Sequence, residues 1–406
     1  MSEVKVIDIV VPVYRGLEIT RRCIESVLAS ANRTPCELVV TDDASPEPEL
    51  SAWLNELAAA GRITLLRNPQ NLGFVATVNR AMALHPERDA VLLNSDTEVA
   101  GDWLDRLLAH AAADPRIGTI TPFSNNGSIC SYPNMLDANA LPAGWSLAEL
   151  DALCARVNAG KVVDLPTGVG FCLYVRRACW RALEGFDIAS FGRGYGEECD
   201  FCMRAGKAGW RNVLAADVFV FHEGSSSFGN ESEGLKAHAE AVMARLHPEY
   251  PARVMEFLRA DPPRRLRDNL TRARPAQTGD TAVIEELIAE RDARAAWLQA
   301  RLMEQERRVG ALQVALAEAV EAAEPAMRRG VGEPGTDRHA ECVTTPSGAA
   351  PAFVAAPDAP YGDVMASFLA YTETQVRHTP KLGRVRRGCV LRLLRSARWL
   401  ARCTIG

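Results

Sequence analysis

The sequence lacks a strong excess of either charge and any long apolar run. Its 46 Lys and Arg residues against 51 Asp and Glu residues give a formal net charge of -5, so composition gives no global reason to expect nucleic-acid binding. The chain begins Met-Ser-Glu-Val-Lys, and the apolar segment that follows is too short and too interrupted for a signal peptide or a membrane span. We therefore expect a cytoplasmic protein that binds no nucleic acid.

A glycine-rich loop is also absent after the first strand-like run. G-x-G-x-x-G at that point is typical of dinucleotide-dependent oxidoreductases, and a glycine-rich loop bearing Arg or Lys would favour a sugar-nucleotide pyrophosphorylase. The chain has Pro-Val-Tyr-Arg-Gly there instead. The eleven cysteines are an odd number, and Cys23, Cys172 and Cys179 lie inside apolar runs. We expect them to be reduced and to bind no metal.

Patterning predicts one large N-terminal domain. Short apolar runs alternate with helical patterns in the first hundred residues, and these runs are Val4–Val13, Glu37–Thr41, Arg62–Leu66 and Asp89–Asn94. The alternation predicts an α/β domain over 1–260, with a mostly parallel twisted sheet flanked by helices. Each run ends in polar residues, which in such a sheet would meet at the edge where ligands bind.

Composition changes beyond residue 260. We predict a linker over 261–280, a coiled-coil helix over 281–324, a disordered linker over 325–360 and a basic amphipathic segment over 361–406. The coiled-coil seam, Ile288 to Ala319, predicts a homodimer or a docked partner, or else a helix folded back on its own domain. The cations between Lys381 and Arg402 are interleaved with apolar residues, which is typical of helices on anionic membranes. An acidic partner or a nucleic-acid patch is the alternative there.

Asn94-Ser95-Asp96 follows a strand-like run, so the side chains of Asn94 and Asp96 point to the same side of the chain. Oxygen ligands of this kind suit Mg²⁺ or Mn²⁺, which fill their remaining positions with phosphate oxygens and water. Taken alone, however, such a triplet is more often a solvated turn that caps the next helix.

Blocks in a fixed order extend this observation. They are Ile7–Tyr14, Val39–Ser45, Asn68–Asn79, Leu92–Thr97, Thr167–Arg177, Gly185–Asp187, Glu197–Arg204 and Phe221–Ser226. Together they resemble the inverting glycosyltransferases of family 2, which have the GT-A fold, over about residues 5–230. Among these, the Asn-Ser-Asp form is similar to bacterial rhamnosyltransferases.

The resemblance implies a donor site for a nucleotide-sugar. It places the following residues around the donor: Pro12, Tyr14, Asp42, Asp43, Asn71, Gly73, Asn79 and Asn94. A carboxylate there can accept a hydrogen bond from the imide of uracil or thymine, or from a ribose hydroxyl. A UDP- or dTDP-sugar is expected rather than a GDP-sugar. In isolation, the Asp42-Asp43 pair would be interpreted as an Asx-turn at a strand end.

The resemblance also implies that Asp96 and His222 bind a divalent metal, Mn²⁺ or Mg²⁺, that bridges the two phosphates. Asn94 stands where Asp is frequent in the family, which weakens the expected metal affinity. In the acidic cluster, Glu198 matches the general base, Glu197 is its competitor, and Asp200 completes the catalytic set. Repulsion among these carboxylates would raise one pKa toward neutrality and favour proton abstraction.

The implied function is inverting transfer of a sugar to a hydroxyl of a glycan or lipid-linked acceptor, in the assembly of cell-surface polysaccharide or glycoconjugate. The basic segment would then hold the protein at the inner face of the cell membrane. The alternative is a catalytically silent nucleotide-binding scaffold that recruits partners through its coiled coil and basic segment. Such a scaffold should bind a donor without turning it over.

Overall fold

A computed structural model describes residues 6–224 and 232–278, together with isolated positions between Ile288 and Arg307. Those isolated positions are helical and exposed. Most of the predicted coiled-coil helix, and all of the predicted linker 325–360 and basic segment 361–406, lie outside the described residues. No helix in the described ranges is long and apolar enough to cross a bilayer.

The described strands form one sheet. They are β1 Ile7–Val13, β2 Cys36–Asp42, β3 Thr64–Arg67, β4 Ala90–Leu93, β5 Thr97–Glu98, β6 Ile117–Ser124, β7 Val162–Asp164, β8 Cys172–Val175 and β9 Arg211–His222. Their order is β3-β2-β1-β4-β8-β6-β9-β5, with β7 also pairing with β9.

The described helices cover both faces of this sheet. They are α1 Leu17–Ala29, α2 Pro48–Ala59, α3 Phe74–Met82, α4 Trp103–Ala113, α5 Leu147–Val157, α6 Arg177–Ala182, α7 Ile188–Phe191, α8 Glu197–Lys207, α9 Ser232–Leu246, α10 Tyr250–Ala260 and α11 Arg264–Thr278. The described residues from 6 to about 130 thus have the predicted alternation of strands and helices.

Strand direction divides the sheet into two halves. Strands β1 to β4 are mutually parallel where they pair, as the sequence predicts. Strand β8 then runs antiparallel to both β4 and β6, while β9 is parallel to β6. The complete sheet is therefore mixed rather than mostly parallel. A short apolar run such as β8 signals burial on both faces, but it carries no information about direction.

The core explains why the strand runs are continuously apolar. On β1, Ile7, Ile9, Val11 and Val13 pack in the cluster under α1, α2 and α4, whereas Val10 packs in the cluster under α3 and α8. Successive strand residues point to opposite faces, so a strand covered on both faces is apolar along most of its length. A third cluster lies between β9, α5 and α11.

The predicted linker 261–280 differs most from the structure, because α11 occupies most of it. Leu270 of α11 is fully buried in the third cluster, together with Leu150 and Leu153 of α5. Arg267 is 1% exposed and donates to the carboxylate of Asp261. The segment has few apolar residues among many arginines, so its composition alone suggests a linker.

Candidate active site

The carboxyl ends of β4, β6 and β9 lie at one edge of the sheet. This follows from the directions of the strands, since β8 is antiparallel to β4 and β6 and β9 is parallel to β6. Asp96 lies just beyond β4 and His222 is the last residue of β9, so the two residues meet there. Oδ1 of Asp96 is 3.5 Å from Nε2 of His222.

Short strand β5 holds this contact in place. Thr97 pairs with His222 in the antiparallel β5–β9 ladder. The main-chain N–H of Glu223 also donates to the carbonyl of Asp96 at 3.0 Å. The backbones on either side of the two side chains are thus joined directly, although the side chains are 126 positions apart in the sequence.

The imidazole of His222 has a defined tautomer. Its Nδ1 lies 2.6 Å from the carbonyl oxygen of Asn126, and because a carbonyl only accepts, Nδ1 carries the proton. Nε2 therefore faces Asp96 with a free lone pair when the ring is neutral. Burial lowers the pKa of His222, but the carboxylate of Asp96 and the hydrogen bond to the Asn126 carbonyl together raise it by more, so the pKa is raised overall. A carboxylate oxygen beside an imidazole nitrogen fits Mn²⁺ or Mg²⁺ coordination.

Glu198 packs against residues 170–171, the segment that also contacts His222. A Cβ added at Gly170 would be 3.6 Å from Cδ of Glu198. The next residue, Phe171, accepts a hydrogen bond from the main-chain N–H of Asn94 and stacks on the ring of His222 at 5.3 Å. The proposed base and the proposed metal ligands thus share one short segment, 170–171.

The three acidic residues of α8 have different environments. Glu198 is half-buried, whereas Glu197 is 5% exposed and its Oε2 has no hydrogen-bond partner among the described residues. Asp200 is 2% exposed, and its carboxylate lies 2.7 Å from Nη2 of Arg204 and 2.8 Å from Nε2 of His247. Asp200 is therefore a partner in a buried ion-pair network and not a group open to substrate.

Burial raises the pKa of both glutamates. Burial is the leading cause for both residues, and the charge of Glu198 raises the pKa of Glu197 further. The predicted upward shift is therefore present, but desolvation contributes more than the repulsion that the sequence suggests. Glu198 has the raised pKa and the partial exposure that a general base needs.

The two carboxylates after β2 have structural partners. Asp43 accepts hydrogen bonds from the main-chain N–H groups of Leu72 and Gly73, at 2.8 and 2.9 Å. Asp42 accepts from the N–H of Ser45 and the hydroxyl of Ser51, at 2.8 and 2.9 Å. An Asx-turn, the alternative interpretation of this pair, would join Asp42 to the N–H two residues on, whereas the observed bond goes to Ser45, three residues on. Both carboxylates lie at the predicted ligand-binding edge of the sheet, after β2, and each accepts hydrogen bonds that hold a loop there.

The remaining predicted donor residues divide between the site edge and the interior. Pro12 is half-buried at the end of β1, and Tyr14 packs under the guanidinium of Arg15 at 5.1 Å. Asn94, two residues before Asp96, is half-buried. Asn79, by contrast, binds the backbone of Phe186, donating to its carbonyl at 2.9 Å and accepting from its N–H at 3.2 Å. Its side chain is occupied in joining α3 to the loop before α7.

Gly73 and Asn71 contact the loop that precedes the acidic helix. Gly73 has φ +83, and a Cβ there would be 2.7 Å from the Cα of Arg193. Oδ1 of Asn71 accepts from Nη2 of Arg193 at 3.0 Å. The predicted donor loop and the loop leading to Glu198 are thus in direct contact. Arg193 is not among the predicted site residues, although its Gly-Arg-Gly-Tyr-Gly context is a signal for an irregular loop.

A second cluster of possible metal ligands lies at the opposite edge of the sheet. Asp8, Glu37 and His85 place one ligand atom each within 4.8 Å of one another. Arg88, however, is 3.0 Å from Asp8 and 2.5 Å from Glu37, so a guanidinium already supplies the positive charge. This cluster is unrelated to the Asp96–His222 pair.

The eight cysteines within the described ranges are free thiols. Cys199 and Cys202 stand three residues apart on α8, beside Glu198. Burial raises the pKa of both, to about 11 for Cys202. Metal binding and nucleophilic attack require the thiolate, so neither cysteine is suited to them.

Comparison with known proteins supports the family resemblance. Residues 8–139 match the family described as Glycosyl transferase family 2. The match agrees with the resemblance that the ordered blocks predict, and it falls on the α/β part of the described structure. The match covers β1 to β6, including Asp43 and Asp96, and ends before Glu198 and His222.

Two curated relatives extend the similarity. The chain is 25% identical over 242 residues to "Uncharacterized protein y4gI" of Sinorhizobium fredii (strain NBRC 101917 / NGR234), covering 57% of the chain and 26% of that relative. It thus spans about a quarter of that relative's length. It is 27% identical over 241 residues to the N-acetylglucosaminyl-diphospho-decaprenol L-rhamnosyltransferase of Mycobacterium tuberculosis (strain ATCC 25618 / H37Rv), covering 53% of the chain and 76% of that relative.

Among solved structures, the chain is similar to GalNAc-T7 with UDP, GalNAc and Mn²⁺. The TM-score is 0.45 at 17% sequence identity, and the match covers 61% of this chain and 50% of that one.

Proposed function

We propose that this protein is an inverting glycosyltransferase that moves a sugar from a nucleoside diphosphate donor to a hydroxyl acceptor. The observation that carries the proposal is the meeting of Asp96 and His222 at 3.5 Å, with Glu198 against the same segment. A metal-ligand pair beside a partly exposed carboxylate of raised pKa suits a single displacement at an anomeric carbon, because one group can stabilise the leaving diphosphate while the other takes the acceptor proton.

Glu198 is the proposed general base. Its carboxylate takes the proton of the acceptor hydroxyl as the oxygen attacks the anomeric carbon, and the bond to the diphosphate breaks on the opposite side. The raised pKa brings the proton affinity of Glu198 closer to that of the attacking group at neutral pH. Glu197 is the weaker candidate because its carboxylate is almost fully enclosed.

Asp96 and His222 are the proposed ligands of a divalent cation. When bound, such an ion neutralises charge on the departing diphosphate. The protein's own contribution is to hold the two ligand atoms face to face, with His222 fixed in the tautomer that leaves Nε2 unprotonated. A mixed oxygen and nitrogen donor set suits Mn²⁺ at least as well as Mg²⁺.

We further propose a UDP- or dTDP-sugar donor and a glycan or lipid-linked acceptor. The similarity to an N-acetylglucosaminyl-diphospho-decaprenol L-rhamnosyltransferase supports a lipid-linked acceptor. The cation-rich sequence from Lys381 to Arg402 supports contact with the inner face of an anionic membrane. The role in cell-surface polysaccharide assembly rests on these two points.

The test is a panel of UDP-, dTDP- and GDP-sugars titrated into the full chain with Mn²⁺ present. Binding is measured by calorimetry and turnover by released nucleoside diphosphate. We expect one donor class to bind, Asp96→Ala to lose the metal-dependent part of binding, and Glu198→Gln to bind normally with turnover reduced at least about 100-fold. Glu18→Gln, an exposed carboxylate of α1, is the control and should match wild type.

Two results would count against the proposal. Donor binding without turnover in the wild type would favour the nucleotide-binding scaffold. Turnover in Glu198→Gln at the wild-type rate, with turnover lost in Glu197→Gln, would move the base to the neighbouring residue.

A further inference from the structure

Asn125 contacts His222 through both ends of its side-chain amide. Its Nδ2 donates to the carbonyl of His222 at 3.0 Å, and its Oδ1 accepts from the N–H of His222 at 2.8 Å. Asn125 follows directly after β6, so its side chain continues the β6–β9 pairing where the main-chain ladder has ended at Ser124. The residue is 5% exposed, which shields both hydrogen bonds from water.

The adjacent residue fixes the ring of the same histidine. The carbonyl of Asn126 accepts the Nδ1 proton of His222 at 2.6 Å. The backbone position of His222 is thus set by the side chain of Asn125, and its ring rotation by the main chain of Asn126. Phe171 stacks on the ring and limits the remaining freedom. Two consecutive residues therefore aim Nε2 at Asp96.

Asn125 is itself anchored. Its carbonyl accepts from both the main-chain N–H and the Nδ2 of Asn139, at 2.9 and 3.0 Å, and its Nδ2 also donates to the carbonyl of Asn139 at 3.1 Å. A side chain held in this way loses little further entropy when it positions a neighbour. The contact with His222 is therefore part of a preformed support and not a chance surface contact.

We propose that Asn125 is the positioning residue of the metal site, and that it sets the distance between Nε2 of His222 and the carboxylate of Asp96. This inference rests on the metal ligands of the proposed function. Outer partners that orient a ligating histidine typically change metal affinity by about 10- to 100-fold when removed. Asparagine suits the role because its amide offers a donor and an acceptor to the N–H and C=O of one extended residue.

Neighbouring side chains do not duplicate this contact. Arg22 pairs with Glu98 at 3.0 Å and with the carboxylate of Glu223. These are contacts between side chains, and neither involves His222 itself. Within the described residues, Asn125 is the side chain that hydrogen-bonds the backbone of His222. Its removal should therefore loosen the histidine without disturbing the charges around it.

The experiment is a titration of the full chain with Mn²⁺ alone, in which the electron paramagnetic resonance signal reports free ion. The variants are Asn125→Ala and Asn125→Asp, with Asp96→Ala as the reference for loss of a ligand. Asn158→Ala is the matched control, since Asn158 is fully buried and donates to carbonyls of β9 and α11 away from the site. Thermal unfolding of each variant shows whether it is folded.

We expect Asn125→Ala to weaken Mn²⁺ binding by about 10- to 100-fold and Asn158→Ala by less than about 3-fold. Asn125→Asp keeps the acceptor for the N–H of His222 but loses the donor, so its affinity should lie between Asn125→Ala and wild type. This second variant decides the matter if Asn125→Ala does not fold.

The outcomes separate this inference from the proposed function. If wild type and Asp96→Ala fail alike to bind Mn²⁺, the metal site itself is wrong and the inference fails with it. If wild type binds, Asp96→Ala does not, and the Asn125 variants bind like wild type, then only the positioning role is overturned. Equal weakening in Asn158→Ala would also overturn it, because general loosening would then explain the effect.

Discussion

Nε2 of His247 lies 2.8 Å from Oδ1 of Asp200, and both side chains are at least 96% excluded from solvent. His247 follows α9 and Asp200 is in the first turn of α8, so this contact fastens the end of α9 to the helix that carries Glu198. Nη2 of Arg204 and Nζ of Lys207 extend the network on either side.

We expect Asp200→Ala to lower the free energy of unfolding by about 3 kcal/mol, because it leaves Arg204 and His247 without their buried partner. Chemical denaturation with a two-state fit measures the change. Glu249→Gln is the control, since Glu249 and Lys207 form a half-exposed pair, for which the cost should stay below about 1 kcal/mol. Equal decreases in the free energy of unfolding for the two changes would show that burial of Asp200 does not strengthen its contribution to stability.

Gly73→Ala should disturb the contact between the loop at Gly73 and the loop at Arg193, which precedes α8. The new Cβ would lie 2.7 Å from the Cα of Arg193, and the alanine would have to adopt the positive φ of Gly73. Gly61→Ala separates the two effects, because Gly61 has φ +65 but no atom within 4 Å of the added Cβ. We expect about 1 kcal/mol of destabilisation at Gly61 and a larger loss at Gly73, with weaker donor binding only at Gly73. Similar values at both sites would mean that the clash relaxes freely.

Asn79→Ala tests whether Asn79 contacts the donor or the protein. Since its amide is engaged with both main-chain groups of Phe186, we expect a loss of about 1–2 kcal/mol in stability and a change in donor affinity of less than about 3-fold, as measured by calorimetry. A stable variant with greatly weakened donor binding would restore the role that the family resemblance implies.

Glu197 should make the fold less stable as pH rises. The folded protein holds the proton of Glu197 more tightly than the unfolded chain does, since burial raises the pKa well above its ordinary value of 4.5. The resulting stabilisation is fully present below about pH 4.5 and is lost as pH rises through the folded pKa. Glu197→Gln removes the ionisable group, so its stability relative to wild type should increase from pH 4.5 upward. A difference that is constant with pH would contradict this assignment.

Much of the fold was predictable because burial on both faces of a parallel strand leaves a continuous apolar run. The strands Ile7–Val13 and Ala90–Leu93, each followed by polar residues, are predicted in this way. The direction of Cys172–Val175 was not, since four apolar residues read alike in both directions. The helix Arg264–Thr278 was missed because its apolar positions are few among arginines.

The site shows the same division between local and long-range information. The meeting of Asp96 and His222 agrees with the pairing implied by the family resemblance. The interior roles of Asn79 and Asp200 depend on Phe186 and His247, partners more than forty positions away in the sequence. No local pattern distinguishes an asparagine that binds a ligand from one that joins two loops. The support of His222 by Asn125 was invisible for the same reason.

The burial of Leu270 has a practical consequence for truncated forms of the chain. A fragment that stops at residue 260, where composition changes, would remove α11 and leave the apolar side of α5 uncovered. An uncovered apolar surface of that kind promotes aggregation during expression. The shortest fragment expected to remain monodisperse therefore ends no earlier than Thr278.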